Sequence, residues 1–213
     1  MGKERLAAFS DGVIAIIITI MVLEFQPPHG ASFAALRPLL PSLLSYVLSF
    51  INIGIYWNNH HHLFSVTERV NGSIMWANMH LLFWLSLIPF ATEWVGRNPF
   101  APVPTAVYGA LLLMASLAYW LLQRAILKTQ GRHSLLATAL GRDIKGKLSP
   151  VFYVLAIAFA FVSSGIAYSL YVLVALMWLV PDRRIEKAIA DTPEDADQED
   201  AGKEGAASSA PTK

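Results

Sequence analysis

The sequence predicts an all-α integral membrane protein with six transmembrane helices and with both termini in the cytosol. Of its 213 residues, 55% are hydrophobic and only 15% are charged, against about 25% charged residues in soluble domains. Long apolar runs recur along the chain, and the basic residues are concentrated in alternate loops. The net charge is +1 and no continuous basic patch is present, which argues against a nucleic-acid partner. The lipid bilayer is therefore the expected surrounding.

Four apolar runs are each long enough to cross a bilayer core of about 30 Å, which takes about 20 helical residues. We expect these helices at residues 7–25, 42–65, 74–95 and 104–127. A fifth apolar region, 151–180, would be about 45 Å long as one helix, which is too long for one upright span and short for two. Ser163, Ser164 and Gly165 lie in its middle and predict a tight turn between two short helices.

The distribution of basic residues favours six spans over five. With a cytosolic N-terminus and six spans, only Arg37 and Arg97 of the 16 Lys and Arg residues are external, and the other 14 are cytosolic. Five spans would instead export Arg183, Arg184 and Lys187, against the positive-inside rule. We expect a six-helix domain over 1–187. Residues 188–213 contain no aromatic residue and many Ala, Asp, Glu and Ser residues, which predicts a disordered cytosolic tail.

Polar residues inside the predicted helices gather at one depth near the cytosolic side. Asp11 follows Arg5 by six residues, or about 9 Å along the first helix. Buried polar groups need partners where water is scarce, so we expect side chains at this depth to form a network between the first three helices. The polar residues at this depth are Asp11, Asn58, Asn59, His60, His61, His62, Asn78 and His80.

The three consecutive histidines, 60–62, allow three interpretations. Neighbouring residues on a helix point about 100° apart, so this run cannot supply three ligands to one metal ion without other helices. The chain also contains no cysteine, which excludes thiolate ligands and disulfides. A structural role in the polar network is favoured over a metal site and over a pH sensor. We expect no metal and no other cofactor.

The first helix carries a narrow apolar stripe. At 100° per residue, four large side chains fall within about 60° of one another, and Asp11 points about 140° away from Ile16. Asp11 therefore faces neighbouring helices when the stripe faces something else, and Thr19 flanks the stripe. Taken alone, such a stripe is more typical of an ordinary lipid-facing or packing surface. The stripe consists of Phe9, Ile16, Ile20 and Leu23.

The stretch 5–25, "RLAAFSDGVIAIIITIMVLEF", resembles the Arg-x-x-x-Phe-Ser-Asp first helix of the transmembrane protein 175 family of potassium channels. Arg5, Phe9, Ser10 and Asp11 match this motif. The resemblance extends over the six-helix plan, the Trp57 and histidine segment of the second helix, and "HLLFWLSLIPFATEW" in the third. It fades in helices four to six and is absent from the tail.

The resemblance implies a potassium channel in which the first helices of an assembly line the pore. Ile16, Ile20 and Leu23 would form a hydrophobic constriction, and the Thr19 hydroxyl could contact a passing ion. Members with one six-helix unit form tetramers, which implies a homotetramer in a prokaryotic plasma membrane. The implied permeant ion is K⁺, with Rb⁺, Cs⁺ and, weakly, Na⁺ as further candidates. The motif is taken to tie the first helix to the next two, through Arg5, Phe9, Ser10, Asp11, Trp57, His61, Asn78 and His80.

Two other classes of protein remain as alternatives. A membrane-embedded enzyme could use the Asp, Asn and His layer to handle protons, but no recognisable catalytic spacing is present. A secondary transporter would more often show inverted repeats and interrupted helices, and only Pro89 interrupts a predicted span. The chain has neither a Thr-Val-Gly-Tyr-Gly filter loop nor an acidic ring within the stripe. A channel controlled by apolar side chains is therefore favoured.

Overall fold

The computed structural model describes residues 2–130 and 144–179, and this part of the chain contains helices and no strand. Two nearly continuous helices make up the third span, so the described residues form six spans, which confirms the predicted all-α plan. An even number of spans places both ends of the domain on one side of the bilayer. The predicted tail, 188–213, lies outside the described residues. The helices are α1 (Lys3–Leu23), α2 (Leu40–Ser65), α3 (Gly72–Ser86), α4 (Ile88–Arg97), α5 (Pro102–Gln130), α6 (Ile144–Ala160) and α7 (Ser164–Leu179).

The first four spans are long and apolar enough to cross a bilayer. They cover Lys3–Leu23, Phe33–Ser65, Gly72–Arg97 and Pro102–Gln130, where Phe33–Leu39 is a 3₁₀ segment that leads into α2. Each of these four spans begins two or more residues before the apolar run that was predicted for it. The reason is that a helix continues past the edge of the hydrocarbon core into the polar interface. The last two helices are shorter, with 17 residues in α6 and 16 in α7.

The third span is interrupted where the sequence places a proline. Helix α3 ends at Ser86, and α4 begins at Ile88 with Pro89 in its first turn. Proline has no backbone N–H, and its ring clashes with the carbonyl group four residues earlier, so a regular helix cannot pass through it. Helix α4 begins directly after this break, and the Ala91 N–H donates to the Leu87 carbonyl in its first turn.

The turn between the last two helices lies slightly earlier than predicted. Helix α6 ends at Ala160 and the turn occupies residues 161–163, whereas Ser164 and Gly165 already belong to α7. The reason is a tertiary contact: the Ser164 hydroxyl donates to the Phe100 carbonyl at 2.8 Å, which ties the start of α7 to the connection between α4 and α5. The prediction of a turn between two short helices is correct, and its assignment to Ser164 and Gly165 is wrong.

Helix α5 lies at the centre of the domain and α1 lies at its edge. Helix α5 contacts α3, α4, α6 and α7, whereas α1 contacts α2, α3 and α4. Two glycines allow close approach of the helices. A Cβ atom on Gly96 would meet the Ser42 backbone at 2.8 Å, and one on Gly109 would overlap the Tyr171 ring. The packing of α4 on α2 and of α7 on α5 therefore requires the absence of a side chain at these positions.

A polar cluster also holds the half of the bundle that lies toward the external side. The Ser49 hydroxyl lies 2.7 Å from the Thr92 hydroxyl and 3.0 Å from the Tyr108 hydroxyl, and all three residues are buried. These contacts join α2, α4 and α5. Sequence analysis placed polar contacts only near the cytosolic side, because single Ser and Thr residues in apolar runs give no signal of their own.

Candidate pore helix and its polar anchor

A chain of hydrogen bonds holds α1 against α2 and α3. The Asn78 amide donates to the Ser10 hydroxyl oxygen at 2.8 Å, and the Asn78 carbonyl oxygen lies 2.8 Å from the His60 ring nitrogen Nε2. The Ser10 hydroxyl in turn donates to the Leu6 carbonyl at 2.8 Å. Ser10, His60 and Asn78 are all buried, where every polar group needs a partner. We call Ser10, Asn78 and His60 the polar anchor.

Asp11 has a separate partner on α2. The Trp57 indole N–H donates to the Asp11 carboxylate at 3.0 Å. This pair is less enclosed than the polar anchor, because Trp57 is exposed and Asp11 is half-buried in the protomer. Asp11 thus points to the neighbouring helix, on the side of α1 away from Ile16, which is the direction that the helical angle predicts.

The structure brings some of the predicted network residues together and leaves others apart. His61 is exposed and its ring lies 6.0 Å from the Trp57 ring, while the His80 ring accepts a hydrogen bond from the Trp84 indole on its own helix. Neither joins the polar anchor. Arg5 and Phe9 are exposed, and the described residues provide no hydrogen bond or ion pair for Arg5. These four side chains do not tie α1 to the rest of its own protomer.

His60 takes the place in the anchor for which His61 was the candidate. Its ring is buried and stacks on Phe64 with 4.5 Å between ring centroids. One signal in the sequence pointed this way: Ile53, His60 and Phe64 recur at helical spacing on one face of α2, and all three are buried. The signal is ambiguous because three consecutive histidines point in different directions around the helix. Which of them faces the bundle interior depends on how α2 is rotated about its axis.

The other face of α1 is open. The four stripe residues lie together on the exposed side of the helix, with Ile16 65% exposed and Leu23 75% exposed. Phe9 and Ile20 are exposed as well. A Cβ atom on Gly12 would meet nothing within 4 Å in the protomer, so this face is smooth as well as apolar at that point. Nothing in the described protomer covers the stripe.

Thr19 lies on the same open face. Its hydroxyl donates to the Ala15 carbonyl at 3.0 Å and lies 3.1 Å from the Ile16 carbonyl. This bond uses the hydroxyl proton within the helix, as is usual for threonine in an apolar helix. The oxygen lone pairs accept no hydrogen bond from another described residue, so they remain available on the exposed surface.

Acidic side chains meet just beyond the external end of α1. Glu24 follows the last residue of α1, and Glu93 on α4 forms an ion pair with Arg97 one turn later. A hydrogen bond between the Glu24 and Glu93 carboxyl groups raises the pKa of Glu24 above its ordinary value, and their mutual repulsion raises it further, while Arg97 partly opposes this. A proton shared between carboxyl groups explains the direction, because two adjacent negative charges repel each other.

Comparisons with known proteins agree with this architecture. The family described as "Endosomal/lysosomal potassium channel TMEM175" matches residues 5–89. A protein of Chryseobacterium sp. that is named a potassium channel is 56% identical over 191 residues, which are 90% of this chain and 100% of the relative. One of Streptomyces collinus, also named a potassium channel, is 33% identical over 186 residues, covering 82% of this chain and 90% of the relative.

A solved structure has the same fold. It is the crystal structure of a lysosomal potassium-selective channel TMEM175 homolog from Chamaesiphon minutus, with a TM-score of 0.74 and 27% sequence identity, covering 84% of this chain and 97% of the other. The first-helix motif, the six spans and the relatives that match over nearly their whole length lead to one assignment. The chain belongs to the TMEM175 family.

Proposed function

We propose that this protein is a potassium channel of the bacterial plasma membrane, whose pore is lined by the α1 helices of several copies. The observation that carries the proposal is the division of α1 into two faces. One face is held by the polar anchor, while Ile16, Ile20 and Leu23 lie exposed on the other. The potassium channels of Chryseobacterium and Streptomyces are similar along nearly their whole length. A channel of this kind needs no catalytic group and no cofactor.

The assembly is proposed to be a homotetramer, since one helix cannot enclose a path for ions. The open face of α1 carries small residues beside the large ones: Ala8, Gly12 and Ala15 are exposed at spacings of four and three. Small residues at such spacing allow helix backbones to approach closely in a membrane. Measurement of the mass of the purified protein in nanodiscs tests this, and a monomer as the only species would contradict it.

The constriction is proposed to consist of rings of aliphatic side chains. In a symmetric assembly, each copy contributes Ile16, Ile20 and Leu23 at the same three heights, and such rings exclude water when they are narrow. The Thr19 oxygen lies between the first and last ring, where a partly dehydrated ion meets few other oxygens. The permeant ion is K⁺, with Rb⁺ and Cs⁺ close behind and Na⁺ weaker.

Flux through liposomes tests this function directly. Purified protein reconstituted with a K⁺ gradient is expected to carry a passive, electrogenic flux that K⁺, Rb⁺ and Cs⁺ support better than Na⁺. Flux strictly coupled to protons or to another solute would contradict the channel and would support a transporter. Empty liposomes give the leak that must be subtracted.

A pair of tryptophan variants tests whether α1 lines the path. Ile20→Trp adds bulk to a proposed ring, so it should abolish most of the flux. Leu173→Trp adds similar bulk to an exposed position on α7, away from α1, and should leave the flux unchanged. Equal flux from both variants, with assembly intact, would place the path elsewhere.

A further inference from the structure

The cytosolic end of the groove between α5 and α6 carries basic side chains that have no acidic partner among the described residues. Arg124 and Lys128 are exposed on α5, and Lys147 is exposed near the start of α6. None of the three forms an ion pair with a described residue, and neither helix contains an Asp or Glu. On the external side, by contrast, Arg97 is paired with Glu93.

Contacts between the two helices bring these cations to one place. Helices α5 and α6 pack against each other. Trp120 of α5 lines the same cavity as Gly146 and Ser149 of α6, so the cytosolic part of α5 lies beside the start of α6. The Arg124 guanidinium lies 3.8 Å from the centre of the Trp120 ring, and Lys147 directly follows Gly146. Arg124 and Lys147 therefore flank the same end of the groove.

Arg124 lies close to the level at which the hydrocarbon core meets the lipid headgroups. Helix α5 has 29 residues, or about 43 Å at 1.5 Å per residue, against about 30 Å for the core. With the excess divided between both ends, about 6 Å of helix projects on each side. Arg124 precedes the end of α5 by six residues, or about 9 Å. Its backbone thus lies just inside the core, and its long side chain reaches the phosphate level.

The exposed surface of α5 changes along the helix in the same order as a phospholipid. Toward the bilayer centre it is aliphatic, with Leu117 and Leu121 exposed. Trp120 is also exposed, and tryptophan prefers the membrane interface. Arg124 and Lys128 follow Trp120 at spacings of four, which places all three on one face of the helix. Acyl chains, ester groups and phosphate follow one another in the same sequence.

We propose that this groove binds an anionic phospholipid of the cytosolic leaflet whose headgroup contains no amine. Its phosphate pairs with Arg124, Lys128 and Lys147, and the Arg124 guanidinium can bond two phosphate oxygens at once. Its acyl chains lie along Leu117 on α5 and Val151 on α6, which are both exposed. Basic pockets between helices on the cytosolic side are typical sites for anionic headgroups. A zwitterionic lipid fits less well, because its ammonium group is repelled by three cations.

Native mass spectrometry of the delipidated protein in detergent tests the groove with two lipids that have identical acyl chains. Palmitoyl-oleoyl phosphatidylglycerol is anionic, and the phosphatidylcholine analogue is zwitterionic. We expect a saturable phosphatidylglycerol site that is about tenfold tighter than that for phosphatidylcholine. Equal affinity for the two lipids would overturn the proposal. Displacement by inorganic phosphate beyond that caused by sodium chloride of equal ionic strength would assign the cations to free phosphate and overturn the lipid assignment.

Charge variants locate the lipid. Arg124→Gln and Lys147→Gln should each weaken phosphatidylglycerol binding about fivefold, which is the effect of one charge near an anionic headgroup. The double variant should lose the preference, whereas Arg124→Lys should retain it. Arg37→Gln is the matched control, since it removes an exposed cation from the external 3₁₀ segment. A double variant that melts like the parent and still prefers phosphatidylglycerol would overturn the assignment to this groove.

Photolabelling locates the acyl chains on the unaltered protein in nanodiscs. A phosphatidylglycerol with a diazirine in one acyl chain should label peptides around Leu117 and Val151 more strongly than the matching phosphatidylcholine does. The two lipids share their chains, so the difference reports the headgroup site and not general contact with the bilayer. Equal labelling by both lipids, or excess labelling confined to other helices, would overturn the proposal. No residue of α1 lines the cavity between α5 and α6, and neither measurement requires ion flux.

Discussion

The two faces of α1 differ in what surrounds them. Each residue of the inner face is less than 5% exposed, because α2, α3 and α4 cover it. The outer face is similarly apolar but has no partner within the described protomer. The inner face consists of Leu6, Ser10, Ile14, Ile17 and Met21, and the outer face of Phe9, Ile16, Thr19, Ile20 and Leu23.

The two faces also differ in the hydrogen bonds that their hydroxyl groups form. Ser10 and Thr19 both donate to the carbonyl four residues earlier, at 2.8 Å and 3.0 Å. The Ser10 oxygen also accepts a hydrogen bond from Asn78, whereas the Thr19 oxygen accepts none from the described residues. The same local hydrogen bond is thus part of a network at Ser10, whereas at Thr19 the hydroxyl oxygen remains a free acceptor among the described residues. The inner face is complete within one chain, whereas the outer face has no partner among the described residues and is the face that we propose other copies cover.

The largest expected effect follows from breaking the inner face at its centre. Asn78→Ala leaves the His60 ring nitrogen without a partner, at about 1–3 kcal/mol, and removes the hydrogen bond that the Ser10 oxygen accepts, at about 1 kcal/mol. The free energy of unfolding should fall by roughly 2–4 kcal/mol, which thermal unfolding in detergent measures. Asn98→Ala is the matched control, since the exposed Asn98 amide bonds only the nearby Trp94 carbonyl. Equal losses in both variants would show that the anchor does not hold α1.

The next effect concerns Ile16, the first large aliphatic side chain of the stripe after Phe9 on the outer face. Ile16→Asn should let water wet the constriction, so basal K⁺ flux should rise several-fold and selectivity should weaken. Ile16→Leu should keep the closed state because size and apolarity are retained. Val22→Asn places the same polar group on an exposed position about 120° off the stripe, and should leave flux unaltered. If an assembled Ile16→Asn protein conducts and selects like the parent, Ile16 does not form a constriction and the stripe is an ordinary packing surface.

A smaller loss is expected at the exposed edge of the inner face. Asp11→Ala removes the acceptor of the Trp57 indole bond, at about 1 kcal/mol, so the yield of the proposed tetramer should fall before permeability changes. Trp57→Phe removes the donor instead. The double variant should be no worse than either single variant, because both lose the same contact. A variant at Asp11 that assembles normally but selects ions differently would mean that Asp11 lines the path.

Thr19 sharpens the comparison on the outer face. Thr19→Val keeps the shape and removes the oxygen, so the permeability of K⁺ relative to Na⁺ should drop, whereas Thr19→Ser should retain it. Reversal potentials under bi-ionic conditions give the ratio. If Thr19→Val leaves them unchanged, the hydroxyl serves only its bond to the Ala15 carbonyl.

The smallest effect is expected beyond the external end of the stripe. Because the pKa of Glu24 is raised by Glu93, this acid takes up its proton at higher pH than an isolated glutamate. As external pH falls and Glu24 takes up its proton, negative charge beyond the external end of α1 is lost and K⁺ flux should decline modestly. Glu24→Gln should flatten this decline. An unchanged pH profile would separate this acidic pair from the ion path. Folding stability should hardly respond, since Glu24 is fully exposed.

Much of the fold and part of the site could be predicted, and the errors have a common cause. Helix number, the break at Pro89 and the direction of Asp11 depend on apolar length, backbone chemistry and helical angle, which are local properties. The anchor role of His60 and the helical position of Ser164 were not predicted, because their environments are made by distant segments. His60 meets Asn78 on another helix, and Ser164 bonds Phe100.

The sequence by itself determined that this chain spans a membrane six times and that α1 has an apolar stripe opposite an acidic side chain. The spans can be predicted because a bilayer requires long apolar helices. The stripe can be predicted because the helical angle alone groups side chains by face. Only the tertiary structure decided which face of α1 is covered and which histidine holds it. That choice depends on how α2 and α3 are rotated and how closely they pack, and rotation is settled by many contacts between helices that are far apart in the chain.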